Sequence, residues 1–475
     1  MNDTALVAGR LLARLDRIPT WTLPKLYAGI IGVGFFFTFY DIFDINVSFI
    51  QTCVELVPGC TPPTSAEHLG LPVLLNLAGY VVGTLILSPL SDRFGRRDLL
   101  LVTMILTGIG SLLTAVVSSY GLFVAARALT GIGIGADLAI VNTYIGELAP
   151  ARGRARYTAM IFIFSALGAV AGIWLGLWLT TPPTPLPLGL PFAVAGAHFA
   201  YGWRVMYLIG AALALVGVLL RFQLPESPRW LVSKERFEEA DYVVSRMEER
   251  AHAIHQLPPV PEHVAAAPRA AEALPFAAIF RNRTYLGRTA LLVVMWFLAY
   301  ITVYAYAAGF TTLLSALGYP PPEAGLITAM GTFGFVLCAL VAYGYGEDME
   351  RKHWMPLAAA ITIIGGIIIA LGGHDVWIAI VGSIIVFFGF NVWVPIAYAW
   401  SIENYPTRAR TTGFALVDGI GHLGGGVGLI AIAPLIPELG VLASMLLIGG
   451  FLVLAAIVAQ FGIGTRARLL DDISP

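Results

Sequence analysis

Two stretches of the chain decide its architecture: ELAPARGR, Glu147 to Arg154, and ENYPTRAR, Glu403 to Arg410. Both read E-x-x-P-x-R-x-R, and their first residues, 147 and 403, lie 256 apart. A second pattern keeps almost the same distance. Asp92 in SDRFGRR stands four and five residues before Arg96 and Arg97, and Glu347 in GEDMERK stands four and five before Arg351 and Lys352; 92 to 347 is 255. Two patterns in different loops that agree on one spacing are hard to obtain by chance. The chain is therefore expected to be a duplicated unit.

Hydropathy says what each copy contains. Of 475 residues, 58% are hydrophobic and only 12% charged, with a mean hydropathy of +0.80. A soluble domain of this length needs far more charge to cover its surface. Twelve apolar runs reach the roughly 20 residues needed to cross a bilayer. They lie at 26–50, 70–90, 98–117, 121–147, 157–180 and 204–222, then at 288–314, 322–345, 355–373, 376–402, 411–435 and 440–462. The expectation is an all-α membrane protein of two six-helix bundles, 26–222 and 288–462. Between them, 223–287 holds a short amphipathic helix, KERFEEADYVVSRMEERAHAI, and a Pro/Ala-rich linker. In 1–25, Leu11, Leu12, Leu15 and Ile18 recur at helical spacing among Arg10, Arg14 and Arg17, which reads as a helix lying in the membrane interface. Residues 463–475 form a tail. Lys and Arg crowd both termini, the linker and loops 2–3, 4–5, 8–9 and 10–11. The positive-inside rule then sets both termini in the cytoplasm, with the chain a multi-pass protein of the cell membrane.

Several classes are excluded. A net charge of −1 offers no basic field for nucleic acid. Cys53, Cys60 and Cys338 are too few for a disulfide framework and lack metal-site spacing. Cys53 and Cys60 share one short loop, where a disulfide and two free thiols both stay open. No ATP-binding loop, metal cluster or nucleophile–base set is present, and GIGIG (Gly131 to Gly135) lies inside a span rather than in a strand–turn–helix unit. No enzymatic activity, cofactor or metal is expected, and the default state is a monomer.

SPLSDRFGRR (Ser88 to Arg97) resembles the loop 2–3 signature of the major facilitator superfamily, with Ser88 where a glycine is usual. RALTGIG (Arg127 to Gly133) resembles its span 4 signature, R-x-x-x-G-x-G. YIGELAPARGRAR (Tyr144 to Arg156), GWR (Gly202 to Arg204) and PESPRWLV (Pro225 to Val232) are similar to its sugar-porter and metabolite–proton symporter branches. The resemblance covers nearly the whole chain. It implies a secondary transporter working by alternating access, with spans 1, 4, 7 and 10 lining a central cavity where solute binds between the halves.

Acids inside the spans then gain meaning. Asp41 and Asp44, in FTFYDIFDINV (Phe37 to Val47), are three apart and share a helix face. Asp137, in GIGIGADLAI, sits near mid-depth on span 4, which the resemblance places in the same lining. An anion there costs about 2.5–3.5 kcal/mol on insertion scales. Neighbouring carboxyls repel, and burial disfavours their ionised form. A carboxyl poised to titrate can load a proton on one side and release it on the other, which is what symport with protons requires. The expectation is that Asp41 and Asp137 carry the proton, with Asp44 either in the same relay or a solvated vestibule residue. The bland alternative is an acid satisfied by backbone or water in a polar crevice. The D-x-x-D spacing resembles aromatic-acid–proton symporters; Tyr40 to Asn46, with Asp137, resembles phosphate–proton symporters. Arg127 and Asp137 are ten positions apart, about 15 Å along a helix, and cannot pair directly. The resemblance implies a coupling role for Arg127, whereas the residues alone require only a partner on a neighbouring helix. Asp418 and His422, four apart on span 11, can meet as a second proton site or as a packing pair beside glycine contacts.

Candidates for the solute cavity are Tyr40, Asn142, Tyr144, Phe164, Trp296, Tyr300, Tyr304, Asn391, Trp393 and Tyr398, against the alternative of plain packing and interface aromatics. No fixed cation is apparent at mid-cavity, and span 7 lacks the paired glutamines and the asparagine that the resemblance implies for hexoses. The expected cargo is a small organic acid or related metabolite moving with protons. A sugar or polyol carrier is the alternative, and a transport-dead nutrient sensor the third reading. At the helix ends stand Asp92, Arg93, Arg96, Arg97, Glu147, Arg152 and Arg154, their repeat partners Glu347, Arg351, Lys352, Glu403, Arg408 and Arg410, and Glu226 with Arg229. These are expected to form ion pairs that tie the cytoplasmic side when closed, or only to enforce orientation.

Overall fold

Apolar runs this long can satisfy every backbone N–H and C=O within lipid only as helices, unless they close into a barrel. The computed structural model describes residues 3–18, 25–148, 154–181, 183–191, 201–253, 256–260, 279–405 and 410–466, and these form helices and loops. Eleven helical stretches are apolar and long enough to cross a membrane. The last, Thr412–Gln460, has 49 residues; straight, it would extend about 74 Å, more than twice a bilayer core. It is two spans, Arg410–Ile432 and Ile436–Gln460, joined by a tight turn at Ala433–Leu435 and broken again at Gly440, where φ is 71°.

Spans 1 to 6 are Lys25–Leu56, Ser65–Val82 (continued by a π turn at Gly83–Leu87 and by Ser88–Phe94), Arg96–Val116, Tyr120–Leu148, Arg154–Thr180 and Gly202–Arg221. Spans 7 to 12 are Arg283–Ala307, Pro321–Tyr345, Trp354–Leu371, Val376–Val392 (continued by Val394–Glu403), Arg410–Ile432 and Ile436–Gln460. Span 1 packs on 5 and 6, span 2 on 4, and span 3 on 4 and 6. Span 7 packs on 11 and 12, span 8 on 10, and span 9 on 10 and 12. One neighbour pattern drawn twice makes two pseudo-symmetric six-helix bundles. They meet along two seams, span 2 on span 11 and span 5 on span 8.

Glycine sets the closest approaches. A Cβ on Gly131 would stand 1.9 Å from the Asn76 carbonyl oxygen, and one on Gly135 would stand 2.1 Å from that of Tyr80. GIGIG is therefore the face on which span 4 lies against the backbone of span 2. At the start of span 3, Gly95 has φ 113° and admits the Glu226 carboxylate, which accepts the backbone N–H groups of Arg96, Arg97 and Ser227. Burial pushes Glu226 up, against the pull of those N–H donors.

Two findings depart from the sequence expectations, and one resolves a point left open. Span 7 does not run to 314; its helix ends at Ala307 and resumes as Phe310–Ala316. Asn46 of span 1 satisfies the break: Nδ2 donates to the carbonyls of Tyr306 (2.9 Å) and Ala307 (2.7 Å), and Oδ1 accepts from Thr311 N (3.1 Å) and Oγ1 (2.6 Å). Non-helical backbone at membrane depth survives when protein completes its hydrogen bonds. Secondly, Cys53 and Cys60, left open by the sequence, are joined by a disulfide with Cα atoms 5.9 Å apart.

Thirdly, the N-terminal helix Asp3–Asp16 turns its apolar face to protein rather than lipid. Leu11 is buried with Trp230 and Leu231, and Leu15 and Ile18 with Val244 and Met247. Arg14 and Arg17 donate to the two oxygens of Glu248, at 2.7 and 2.5 Å, on the linker helix Phe237–His252. An amphipathic pattern looks the same whether its partner is a bilayer or another helix. Burial alone would push Glu248 up, but the bonds from Arg14 and Arg17 outweigh it and hold the carboxyl below its ordinary range.

Gly131→Ala is expected to destabilise the protein by about 1–3 kcal/mol through overpacking, read as a lower melting temperature in detergent. Gly450→Ala, with nothing within 4 Å of the new Cβ, should leave it unchanged or raised. Equal effects would remove the packing account. Because Glu248 titrates below its ordinary value, its contribution to docking is complete above that value and fades as pH falls through the folded one. Glu248→Gln should accordingly speed amide exchange in residues 5–16 at neutral pH while the spans keep their protection.

Candidate functional site

A charge inside a helical bundle must find its partner there. The first bundle encloses three carboxyl groups, Asp41, Asp44 and Asp137, and two guanidinium groups, Arg127 and Arg221, each no more than 2% exposed. Arg127 points from span 4 to span 1. Its Nη2 donates to the Asp41 carbonyl oxygen at 2.8 Å, while Nη1 stands 3.5 Å from Asp41 Oδ1 and 3.7 Å from Asp44 Oδ1. Ser111 of span 3 donates to Asp41 Oδ1 at 2.8 Å. The ring of Tyr207, from span 6, lies 5.3 Å from the guanidinium. Among the described residues, neither oxygen of Asp44 has a hydrogen-bond partner, and Asp41 Oδ2 has none.

Asp137 is the opposite case. Arg221 meets both its oxygens, with Nη2 to Oδ2 at 3.0 Å, and Thr103 and Thr38 add hydroxyl donors at 2.8 and 3.3 Å. Arg221 also donates to the Leu100 carbonyl at 2.7 Å. Gly34 leaves the room this needs, since a Cβ there would lie 2.3 Å from Nη2. Spans 1, 3, 4 and 6 all contribute, so the pair is enclosed within the bundle rather than lining a passage between bundles. Arg221, which reads as the polar end of span 6, turns inward instead of snorkelling outward. Of the two readings of Asp44, the solvated vestibule residue is corrected, because its side chain is fully buried.

In the second bundle Asp418 lies where the bundles touch. Its Oδ1 accepts the Tyr300 hydroxyl at 2.7 Å and its Oδ2 the hydroxyl of Tyr80, from span 2, at 2.8 Å. His422 does meet Asp418: Nδ1 is 2.7 Å from its carbonyl and 3.5 Å from Oδ1. Of the ten cavity candidates, five gather here. Trp296 packs on Tyr300 (4.9 Å), Trp393 (4.8 Å) and Tyr398 (5.2 Å), and Tyr304 lies 5.8 Å from His422. The others point elsewhere. Tyr40 donates to Met206 O inside the first bundle, and Tyr144 to Pro225 O at its end. Asn142 bonds Leu138 O on its own helix, Asn391 reaches Cys338 Sγ, and the Phe164 ring packs on Gly32.

At the charged helix ends, Arg96 pairs with Glu147 at 3.0 Å, and Arg351 with Glu347 at 2.7 Å and Glu403 at 3.7 Å. Lys352 donates to Gln460 O and Gly462 O, Arg97 to Phe222 O, Arg229 pairs with Asp16, and Arg93 lies over the Phe94 ring. Each of these contacts stays within one half of the chain. Arg152 and Arg408 lie outside the described residues, as do the side chains of Asp92, Arg154 and Arg410. Sequence reasoning passed over Arg221, Asn46, Tyr80, Ser111 and Tyr207, since a lone arginine, amide or phenol in an apolar run carries no local mark of its partner.

Comparison with known proteins agrees with this architecture. The chain is 25% identical over 468 residues to the putative metabolite transport protein YyaJ of Bacillus subtilis, covering 96% of each. It is 29% identical over 380 residues to the 4-hydroxybenzoate transporter PcaK of Pseudomonas aeruginosa, covering 78% of this chain and 79% of that one. Its fold matches the partially occluded, inward-open xylose transporter XylE from E. coli with a TM-score of 0.68, at 17% identity over 94% of this chain and 99% of that chain. Residues 28–473 match the family described as sugar (and other) transporter. The chain is a multi-pass membrane protein and belongs to that transporter family of the major facilitator superfamily.

Proposed function

We propose that the protein is a proton-coupled symporter that imports a small organic solute, an organic acid or related metabolite, by alternating access. The observation that carries this reading is the count of charges around Arg127. Two carboxyls face one guanidinium in a buried interior, and the fully ionised cluster would hold an unbalanced anion. A proton on Asp44, which has the longer contact to Arg127, makes the cluster neutral. Asp41, held by Ser111 and Arg127, stays as the ionised partner. Asp137, complemented by Arg221, serves instead to tie four spans together.

The neutral cluster lets the bundles move over a bound solute; releasing the proton on the far side leaves a charge that favours resetting. Relatives described as metabolite and 4-hydroxybenzoate transporters support an organic cargo. Phenols and indoles around Asp418 support a solute with apolar surface rather than a hexose. The concentration of Lys and Arg on the face with the linker supports cytoplasmic termini, as does the Cys53–Cys60 disulfide on the opposite face, suited to an oxidising exterior.

The test is uptake into proteoliposomes, using whichever of a panel of aromatic acids, dicarboxylates, sugars and amines gives the largest thermal shift. Wild type should accumulate it under an inward proton gradient. Asp44→Asn should keep downhill flux and lose accumulation by about tenfold or more, the loss of a proton-coupling step. Accumulation equal to wild type in Asp44→Asn overturns the assignment. Asp137→Asn leaves Arg221 buried and unpaired, and should cost about 3–5 kcal/mol of stability, seen as low folded yield, while what does fold remains coupled.

A further inference from the structure

Tyr80 sits in the second bundle as a bound ligand would. Its ring stacks on the His422 imidazole with centroids 4.0 Å apart and planes at 21°, and its hydroxyl donates to Asp418 Oδ2 at 2.8 Å. The niche around it is built by other spans. Asp418 and His422 come from span 11 and Tyr300 from span 7, whose ring lies 3.9 Å from His422 and whose hydroxyl takes the other Asp418 oxygen. Trp296 and Tyr398 extend the aromatic wall. Tyr80 comes from the first bundle, across the seam between spans 2 and 11, and Phe162 of span 5 reaches Tyr398 from the same bundle, with ring centroids 5.8 Å apart.

We propose that this niche is the recognition site for an aromatic solute bearing a ring-borne hydrogen-bond donor, and that Tyr80 is its built-in occupant, displaced by the solute. Taking the donor from an oxygen of Asp418, a residue 2% exposed, carries the desolvation cost of a buried acceptor left unpaired. When the bundles part along the span 2–span 11 seam, Tyr80 leaves with the first bundle and Asp418 Oδ2 loses its hydroxyl. A phenol, an aromatic amine or a protonated ring nitrogen restores the bond while its ring replaces that of Tyr80 on the imidazole. Binding and parting of the seam thereby exclude the Tyr80 contact together, so the solute favours the state in which the latch is open. Asp418 and Tyr80 are specificity-determining residues, and the selectivity lies in the donor on the ring, whatever charge the rest of the solute carries. The inference rests on the transporter reading in one respect, that the bundles separate at this seam.

The experiment is isothermal titration of the full-length protein in detergent with two matched pairs, tyramine against phenethylamine and 4-hydroxybenzoate against benzoate. At least one hydroxylated member should bind, and about tenfold or more tighter than its partner, because a site built around a hydrogen bond rejects the analogue lacking it. Asp418→Asn should shrink that preference to about threefold or less. Tyr80→Phe keeps the ring and removes the competing hydroxyl, so it should tighten binding of the hydroxylated member. Equal affinities within the pairs, no binding by any of the four, or weaker binding in Tyr80→Phe would overturn the proposal. If Asp418→Asn fails to fold, the wild-type preference and the Tyr80→Phe result still decide. Proton coupling is tested separately: gradient-driven uptake without a hydroxyl preference sinks this inference alone, and a hydroxyl preference without gradient-driven uptake sinks the symport reading alone.

Discussion

Three carboxyl groups against two guanidinium groups, all buried in one six-helix bundle, form the constraint on which the structure depends. Burying an unpaired ion is so unfavourable that each arginine must be answered by an acid, and each acid by a cation, a donor or a proton. Arg221 meets both oxygens of Asp137, and two threonine hydroxyls also approach them. Arg127 is divided between Asp41 and Asp44 and completes neither. The two clusters contain the same residue types, yet one is a fixed brace and the other is left one charge short. That difference separates a residue that holds helices together from one suited to carry a proton.

Among the described residues, the polar contacts between the bundles are of another kind. Asn46 bonding the broken backbone of span 7 and Tyr80 bonding Asp418 are hydrogen bonds to groups that another donor or acceptor can replace. The ion pairs at the helix ends, such as Arg96 with Glu147 and Arg351 with Glu403, brace each bundle internally. Strong, desolvated pairs inside each bundle and, among the described residues, exchangeable hydrogen bonds between the two would suit bundles that rock against each other as units.

Much of this is legible in the sequence because it is local. The repeated E-x-x-P-x-R-x-R, the lengths of the apolar runs and the i, i+3 spacing of Asp41 and Asp44 need no knowledge of distant partners. GIGIG could be told from a dinucleotide-binding loop because it lies inside a span, although the carbonyls of Asn76 and Tyr80 that demand glycine could not be read. What stays hidden is pairing across long separations. Arg221 is 84 residues from Asp137, Tyr80 is 338 from Asp418, and Asn46 is 260 or more from the backbone it completes. The break in span 7 carries no proline, and the N-terminal amphipathic helix reads the same whether it meets lipid or the linker. Hydropathy reports that a side chain is surrounded, without saying by what.

The proton on Asp44 is the claim from which the rest of the mechanism follows, and infrared spectroscopy addresses it without needing a cargo. A protonated carboxylic acid has a carbonyl stretch distinct from the carboxylate bands. Purified protein at neutral pH should show such a band, shifted in deuterium oxide and absent from Asp44→Asn but retained in Asp137→Asn. A band that survives Asp44→Asn unchanged, or disappears only when Asp137 is replaced, would contradict the account.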